Sequence, residues 1–146
     1  MIANSAERSA EVMRLYLSEV VAQGRIELLP ELAAKDVVDH TALEAGWGRG
    51  RAGLEKHVRY FRKVVPDLEL KLERVIASSD EVVGVWRVRG THSAPLFGID
   101  ATGKPIEWTN ASIFRLRDGM IVDYSGVWGS LEAVEKIGVP IVLASE

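Results

Sequence analysis

The stretch VVGVWRVRGTH, residues 82–92, alternates apolar and charged side chains in the pattern of a β-strand. A period of two residues places Trp86 on one face of this strand and Arg87 on the other. The alternation continues in IEWTNASIFRLRDG, residues 106–119, and again in MIVDYSGVWG, residues 120–129. We therefore predict three consecutive strands that turn one face toward a shared interior.

The face predicted to turn inward is chemically mixed. By strict alternation its members are Trp86, Val88, Gly90, His92, Trp108, Asn110, Ser112, Phe114, Leu116, Val122, Tyr124, Gly126 and Trp128. A solid core is dominated by apolar side chains, and buried polar groups need partners. This mixture of aromatic and polar groups therefore indicates the wall of a pocket for a small molecule.

Composition limits the classes of function. A chain of 146 residues that is 47% hydrophobic fits a single domain over residues 1–146 with one substantial core. The net charge of -3 argues against nucleic acid as a partner, because phosphate binding needs a basic field. The absence of cysteine excludes thiol catalysis and Cys-ligated metals. No leader or membrane-spanning run is visible, so we expect a cytoplasmic protein without a membrane partner.

The remaining segments predict further helices, most of which precede the three long strands, and two further strands. Apolar spacing predicts helices at 5–23, 26–34, 52–65 and 130–137, strands at 37–40 and 68–77, a glycine-rich loop at 41–51, and an apolar tail at 139–144 that packs on the core or on a partner. Helices followed by an antiparallel meander predict an α+β fold. We expect a cone-shaped, strongly curved, mostly antiparallel sheet wrapped around the N-terminal helices and enclosing one pocket.

Several short motifs carry a family resemblance. They are Val65-Pro66-Asp67-Leu68, Gly90-Thr91-His92, Phe97-Gly98-Ile99, Thr102-Gly103-Lys104, and the segments 114–122 and 131–138. Together they resemble the SnoaL-like polyketide (ester) cyclases, and the similarity covers nearly the whole chain. The resemblance implies the cone of the nuclear transport factor 2-like superfamily and ring closure by an intramolecular aldol reaction without metal or organic cofactor. It also implies a homodimer or higher homo-oligomer, since the resembling proteins pair through their sheets.

The resemblance also identifies positions at which this chain departs from the family. The family's aspartate base falls on Gly126, and its neighbouring histidine falls on Ser112. A family glutamine falls on Asn110, and a family asparagine falls on Asp39. Glycine cannot transfer a proton, so the fold carries over to this chain better than the mechanism does.

Two residues are candidate proton carriers in place of the missing base. Asp39 could serve as a relocated base, or its carboxylate could cap the following loop. His40 is a candidate substrate contact, but adjacent strand residues point to opposite faces, so only one of the two can face the pocket. His92 is inward by alternation and is either catalytic or a hydrogen-bonded structural histidine. We expect His57, on the helix, to be exposed.

Three inward residues are candidate hydrogen-bond donors. Tyr124 precedes Gly126 by two residues on the same face, so its hydroxyl could fill the space of the missing carboxylate; its alternative role is an aromatic filler. Asn110 and Ser112 could present neutral polar groups to a substrate carbonyl, or they could satisfy each other or water.

Tryptophan supplies the predicted apolar wall. Trp86, Trp108 and Trp128 are candidate substrate contacts, with ordinary core burial as the alternative. Trp47 lies among glycines and is a candidate lid residue, with a surface or oligomer contact as the alternative.

These residues favour cofactor-independent acid/base chemistry on a small hydrophobic or polyketide-like molecule, namely cyclisation, isomerisation or hydration. We expect no metal site, because the three histidines are scattered in the sequence. Two alternatives remain open: a non-catalytic binding or carrier protein that has lost the base at Gly126, and a scaffold whose sheet serves assembly.

Overall fold

A computed structural model of the chain describes residues 2–138. The helices are α1 (Ala6–Leu15), a π-helical continuation of it (Tyr16–Val21), a 3₁₀ turn (Ile26–Leu28), α2 (Leu29–Leu32), α3 (His40–Ala45), α4 (Gly50–Val64) and α5 (Ser130–Lys136). The strands are β1 (Ala33–Asp39), β2 (Glu69–Ala77), β3 (Glu81–Thr91), β4 (Pro105–Arg117) and β5 (Met120–Trp128). The apolar tail predicted at 139–144 lies outside the described residues.

The five strands form one sheet in the order β1-β5-β4-β3-β2. Strands β2 to β5 pair antiparallel with their neighbours, whereas β1 pairs parallel to β5. Helices α1 and α4 contact this sheet, α1 over β2 and β3 and α4 beside β1. The predicted α+β cone with a curved, mostly antiparallel sheet is thereby confirmed. No helix within residues 2–138 is long and apolar enough to cross a membrane.

The predicted alternation holds along β3 and β4, where every second residue from Val82 to Val88 and from Ile106 to Leu116 is buried. It fails at the start of β5. The pairing of Arg115 with Asp123 is followed by that of Leu116 with Ile121, so β5 holds one extra residue, Val122, in a β-bulge. Ile121 is therefore the buried residue, and the prediction that Val122 points inward is wrong.

The segment 41–51 was predicted to be a loop, but it contains helix α3. The Ala42 N–H donates to Oδ1 of Asp39 at 3.2 Å, which caps the first turn. Gly46 ends the helix in the left-handed conformation, with φ 72°. The sequence does not predict this short helix, because the glycines that follow it favour a loop.

Helix α1 widens into a π-helical segment at Tyr16–Val21. The Ala22 N–H donates to the carbonyl of Leu17, five residues earlier, at 3.0 Å. Tyr16 and Val21 are both buried on the side that faces the sheet. Such wide turns occur mostly as single insertions in α-helices and are frequent at functional sites.

Candidate active site

His57 is a candidate site residue that the sequence analysis does not identify. It was expected to be exposed, but it is only 5% exposed. It lies on the buried stripe of α4, three residues after Leu54 and four before Phe61, both of which are core residues. That i, i+3, i+4 spacing was visible in the sequence and could have placed His57 on the inner face of the helix.

His57 forms a buried pair with Asp39. The distance from Nδ1 of His57 to Oδ2 of Asp39 is 2.7 Å, and Asp39 is 2% exposed. The other carboxylate oxygen accepts the Ala42 N–H that caps α3. A carboxylate accepts hydrogen bonds, so the contact assigns a proton to Nδ1, and in the neutral form of the ring the lone pair then lies on Nε2. Within residues 2–138, Nε2 of His57 makes no hydrogen bond, and it is therefore available to a ligand.

Asp39 faces inward and His40 outward, which resolves the choice left open by the sequence. The His40 side chain is 51% exposed and lies 3.0 Å from Asp123. The Asp39 carboxylate caps the segment that follows it, which is one of the two roles predicted from the sequence. Its other oxygen forms a hydrogen bond with His57. The carboxylate therefore lies behind the imidazole and does not itself line the cavity.

Aromatic rings surround His57. The ring centroid of Trp47 lies 5.5 Å from that of His57 and 4.9 Å from that of Tyr60. Tyr124 meets His57 edge-on at 5.6 Å. Trp47 is half-buried and follows α3 directly, so it covers the imidazole from the side of α4.

Tyr124 and Ser112 form a second group of polar atoms on the sheet. Oγ of Ser112 accepts the indole N–H of Trp86 at 3.0 Å and lies 3.5 Å from the Tyr124 hydroxyl. Burial raises the pKa of Tyr124 to about 12. The phenol therefore stays protonated at neutral pH and can donate to a ligand oxygen.

Asn110 adds a third polar group. Its Oδ1 accepts the indole N–H of Trp108 at 2.9 Å. Its Nδ2 is buried and has no partner within the described part of the chain. An unsatisfied buried amide costs on the order of 1–3 kcal/mol, which a ligand acceptor would recover.

These groups meet at one cavity between α1, α4 and the sheet. It is lined by Tyr16, Val21, His57, Val58, Phe61, Trp86, Asn110, Ala111, Ser112, Tyr124, Gly126, Val127 and Trp128. The space between atoms is about 380 Å³, part of it open to solvent, but the centre of a water molecule can occupy only about 20 Å³ of it. The cavity is therefore narrow, with room for little more than one water molecule.

The other residues singled out in the sequence take different places. Trp86 and Trp128 line the cavity, whereas Trp108 is fully buried behind Asn110. His92 is also fully buried but does not line the cavity; its Nδ1 lies 2.9 Å from Oγ1 of Thr102. The geometry brings His57, Tyr124, Asn110 and Ser112 together and leaves His92 and His40 outside.

Gly126 lines the cavity opposite Ser112 in the sheet. A Cβ atom built there would lie 3.4 Å from the Ala111 carbonyl oxygen and 3.7 Å from Cε1 of Tyr124, which are ordinary contacts. A Cβ atom would therefore fit at this position, and the backbone contacts alone do not require glycine.

Comparisons with known proteins agree with this architecture. IdmH of Streptomyces antibioticus, proposed to be a polyketide cyclase, is 30% identical, with a TM-score of 0.73 and coverage of 91% of this chain and 99% of IdmH. A protein of Bacillus cereus, also proposed to be a polyketide cyclase, is 26% identical, with a TM-score of 0.65 and coverage of 80% and 71%. TsrD of Streptomyces laurentii is 20% identical and shows the shared fold, with a TM-score of 0.81 and coverage of 92% and 97%.

No curated protein sequence matches this chain. The family model described as SnoaL-like polyketide cyclase matches residues 10–136. That match spans every helix and strand from α1 to α5 except the first turn of α1. The chain therefore belongs to the SnoaL-like polyketide cyclase family.

Proposed function

We propose that this protein is an enzyme that performs cofactor-independent acid/base chemistry on a small hydrophobic or polyketide-like molecule. The observation that carries the proposal is the buried pair of His57 and Asp39, 2.7 Å apart, at the wall of an aromatic cavity. A histidine held by a carboxylate and left with a free nitrogen is a common form of general base. It offers an alternative to the carboxylate that the resemblance assigns to position 126.

In the proposed reaction, Nε2 of His57 removes a proton from a carbon next to a carbonyl group. The electron pair of the broken C–H bond moves toward the carbonyl oxygen and forms an enolate. Asp39 keeps the proton on Nδ1 and stabilises the positive charge that the imidazole acquires. The enolate carbon can then attack a second carbonyl carbon of the same molecule, whose oxygen takes the proton back from His57, or His57 can return the proton to another carbon.

The sheet supplies the donors that such an enolate needs. Tyr124, with its raised pKa of about 12, donates to the developing negative charge without losing its own proton at neutral pH. Asn110 has a buried N–H group ready for the same purpose. Aldol cyclisation and isomerisation both begin with such a proton transfer, and in a hydration the same base would take the proton from the attacking water, so the arrangement supports this class of reaction.

Binding of a substrate requires the cavity to widen, because it holds little more than one water molecule. Val127 lines the cavity and is 63% exposed, so the cavity reaches the surface at the end of β5. Trp128 is half-buried and is the last residue of that strand. We place the entrance of the substrate at this end of β5.

The second candidate function is ligand binding without catalysis. It is favoured by Gly126, since the position that carries the family base lacks any side chain. A carrier needs the aromatic cavity and the donors but no proton acceptor. Replacement of His57 would then leave the affinity of the protein for its ligand nearly unchanged.

Exchange of carbon-bound hydrogen distinguishes the two candidates without knowledge of the natural substrate. The ketone 1-tetralone is incubated with the protein in D₂O, and loss of its proton signal next to the carbonyl is followed by NMR. We expect the wild type to accelerate exchange and His57→Gln to lose the acceleration by about 10²–10⁴-fold. Equal rates for both proteins, with 1-tetralone bound, would favour the carrier.

His40→Gln is the matched control, because it makes the same chemical change at an outward-facing histidine. We expect its rate to equal that of the wild type. His92→Gln tests the remaining prediction for His92: a fall in rate as large as that of His57→Gln would return the role of base to His92.

We also propose a homodimer or a higher homo-oligomer, which the family resemblance implies. The exposed apolar side chains Ile76 and Val127, which are 56% and 63% exposed, support a contact surface on the sheet. Size-exclusion chromatography with light scattering tests this, and a monomer at micromolar concentration would contradict it.

A further inference from the structure

The amide of Asn110 is oriented by the protein before any ligand arrives. Its Oδ1 lies 2.9 Å from the indole nitrogen of Trp108. An indole N–H can only donate, so the oxygen of the amide must face it. The opposite orientation would bring two donors together and leave both without a partner. Because Trp108 is fully buried, no solvent molecule could accept its N–H instead.

This orientation determines the position of the other polar atom of the amide, Nδ2. Nδ2 of Asn110 is directed away from Trp108, in a residue that lines the cavity, and it has no partner within residues 2–138. Asn110 is only 5% exposed, so bulk water does not supply one either. A buried N–H group without an acceptor favours any ligand that brings one.

A second indole, that of Trp86 on β3, donates in the same way to an acceptor on β4. Trp86 donates to Oγ of Ser112 at 3.0 Å, and the Tyr124 hydroxyl lies 3.5 Å from that oxygen. Tyr124 is protonated at neutral pH and can donate. The sheet wall of the cavity therefore offers donors, whereas the free acceptor, Nε2 of His57, lies on the helix side.

We propose that Trp108 is a positioning residue that fixes Asn110 as a donor, and that the cavity thereby selects ligands with a carbonyl-type acceptor at this point. Ketones, esters and enolates satisfy this demand, whereas an ammonium group at the same point, which can only donate, does not. The inference names the ligand chemistry of the proposed site, and it rests on the cavity being a binding site, although not on catalysis.

The test compares two ligands of the same shape. Cyclohexanone carries an acceptor oxygen where methylenecyclohexane carries a CH₂ group. Dissociation constants for both are measured by NMR titration of the ¹⁵N-labelled protein, with the Asn110 side-chain NH₂ signals as the reporter. We expect the wild type to bind cyclohexanone roughly five- to 100-fold more tightly, with the NH₂ protons shifting only for the ketone.

Two variants test the role of orientation. Asn110→Asp keeps an oxygen toward Trp108 but places a second oxygen where Nδ2 was, so we expect the preference for the ketone to disappear. Trp108→Phe removes the indole N–H and frees the amide to turn, so we expect the preference to fall at least fivefold. Thr109→Val, the next residue on β4 with its side chain on the opposite face, is the control and should keep the wild-type preference. Thermal unfolding shows which variants remain folded.

Equal affinity of the wild type for the two ligands would overturn the proposal. So would a preference that survives in folded Asn110→Asp, or failure of both ligands to bind at all. If the preference is as expected while His57→Gln exchanges protons as fast as the wild type, the proposed enzymatic function falls and this inference stands.

Discussion

Replacement of Asp39 by asparagine should reverse the proton arrangement on His57 while preserving the fold. Asparagine has the same shape and can still accept the Ala42 N–H, so the cap of α3 persists. Its remaining group is then an NH₂, which donates to Nδ1 of His57 where the carboxylate accepted. The imidazole must carry its proton on Nε2, and the lone pair that faces the cavity is lost.

The structure sets the size of both effects. A general base contributes about 10²–10⁴-fold to the rate, so Asp39→Asn should slow exchange of 1-tetralone hydrogens by that factor. Stability should change little, because a hydrogen bond with one charged partner is replaced by a neutral one in the same place. We expect the free energy of unfolding to fall by roughly 1 kcal/mol, measured by urea denaturation.

Two measurements test the role of the pair and the position of the ring proton separately. Exchange by Asp39→Asn within threefold of the wild-type rate would refute the role of the pair. ¹⁵N chemical shifts of the His57 ring report which nitrogen carries the proton, and an unchanged pattern would refute the tautomer argument even if the rate fell. Asp39→Ala separates the effects, since it loses the helix cap as well and should be the less stable variant.

Three further predictions follow from particular contacts. Burial raises the pKa of Tyr124 from about 10 in the unfolded chain to about 12, so its contribution to stability is complete below pH 10. This contribution should decline by roughly 3 kcal/mol as the pH rises through 12, and the decline measured by urea denaturation should be smaller by that amount in Tyr124→Phe, where Tyr16 still contributes because burial raises its pKa too. Gly53→Ala would place Cβ against the carbonyl oxygen of Gly48, so we expect the free energy of unfolding to drop by about 1–3 kcal/mol in the same assay. The Cβ of Gly126→Asp would meet only ordinary contacts, and in the His57→Gln background we expect this substitution to raise the rate of hydrogen exchange, followed by NMR, by at least about tenfold. No gain in a folded double variant would show that position 126 does not address the same carbon.

The fold could be predicted from the sequence because its strongest signals are local. Alternation in β3 and β4 fixed which residues face inward, including Trp86, Asn110 and Ser112, all of which line the cavity. The family resemblance supplied the topology, including the cone that no local pattern specifies. The bulge at Val122 escaped prediction because it depends on how β5 pairs with β4 and not on the sequence of β5 alone.

The candidate site was predicted only in part, because its central pair joins two distant segments. Asp39 and His57 are 18 residues apart and lie on a strand and a helix whose contact is tertiary. The apolar spacing of α4 could have placed His57 on the inner face, although we expected it to be exposed, and no local pattern indicates its partner. His92 satisfied the alternation rule and is buried, yet it bonds to Thr102 and not to the cavity. Burial could be predicted from periodicity, whereas the direction of a polar side chain could not.

The π-helical segment at Tyr16–Val21 absorbs one residue more than an unbroken α-helix would hold. Tyr16 and Val21 are five residues apart, and both line the cavity. Deletion of one residue between them would restore an α-helical turn in which they stand four residues apart, which is still one face of the helix. A single codon could therefore be gained or lost here in evolution while the residues on both sides keep their direction toward the ligand space.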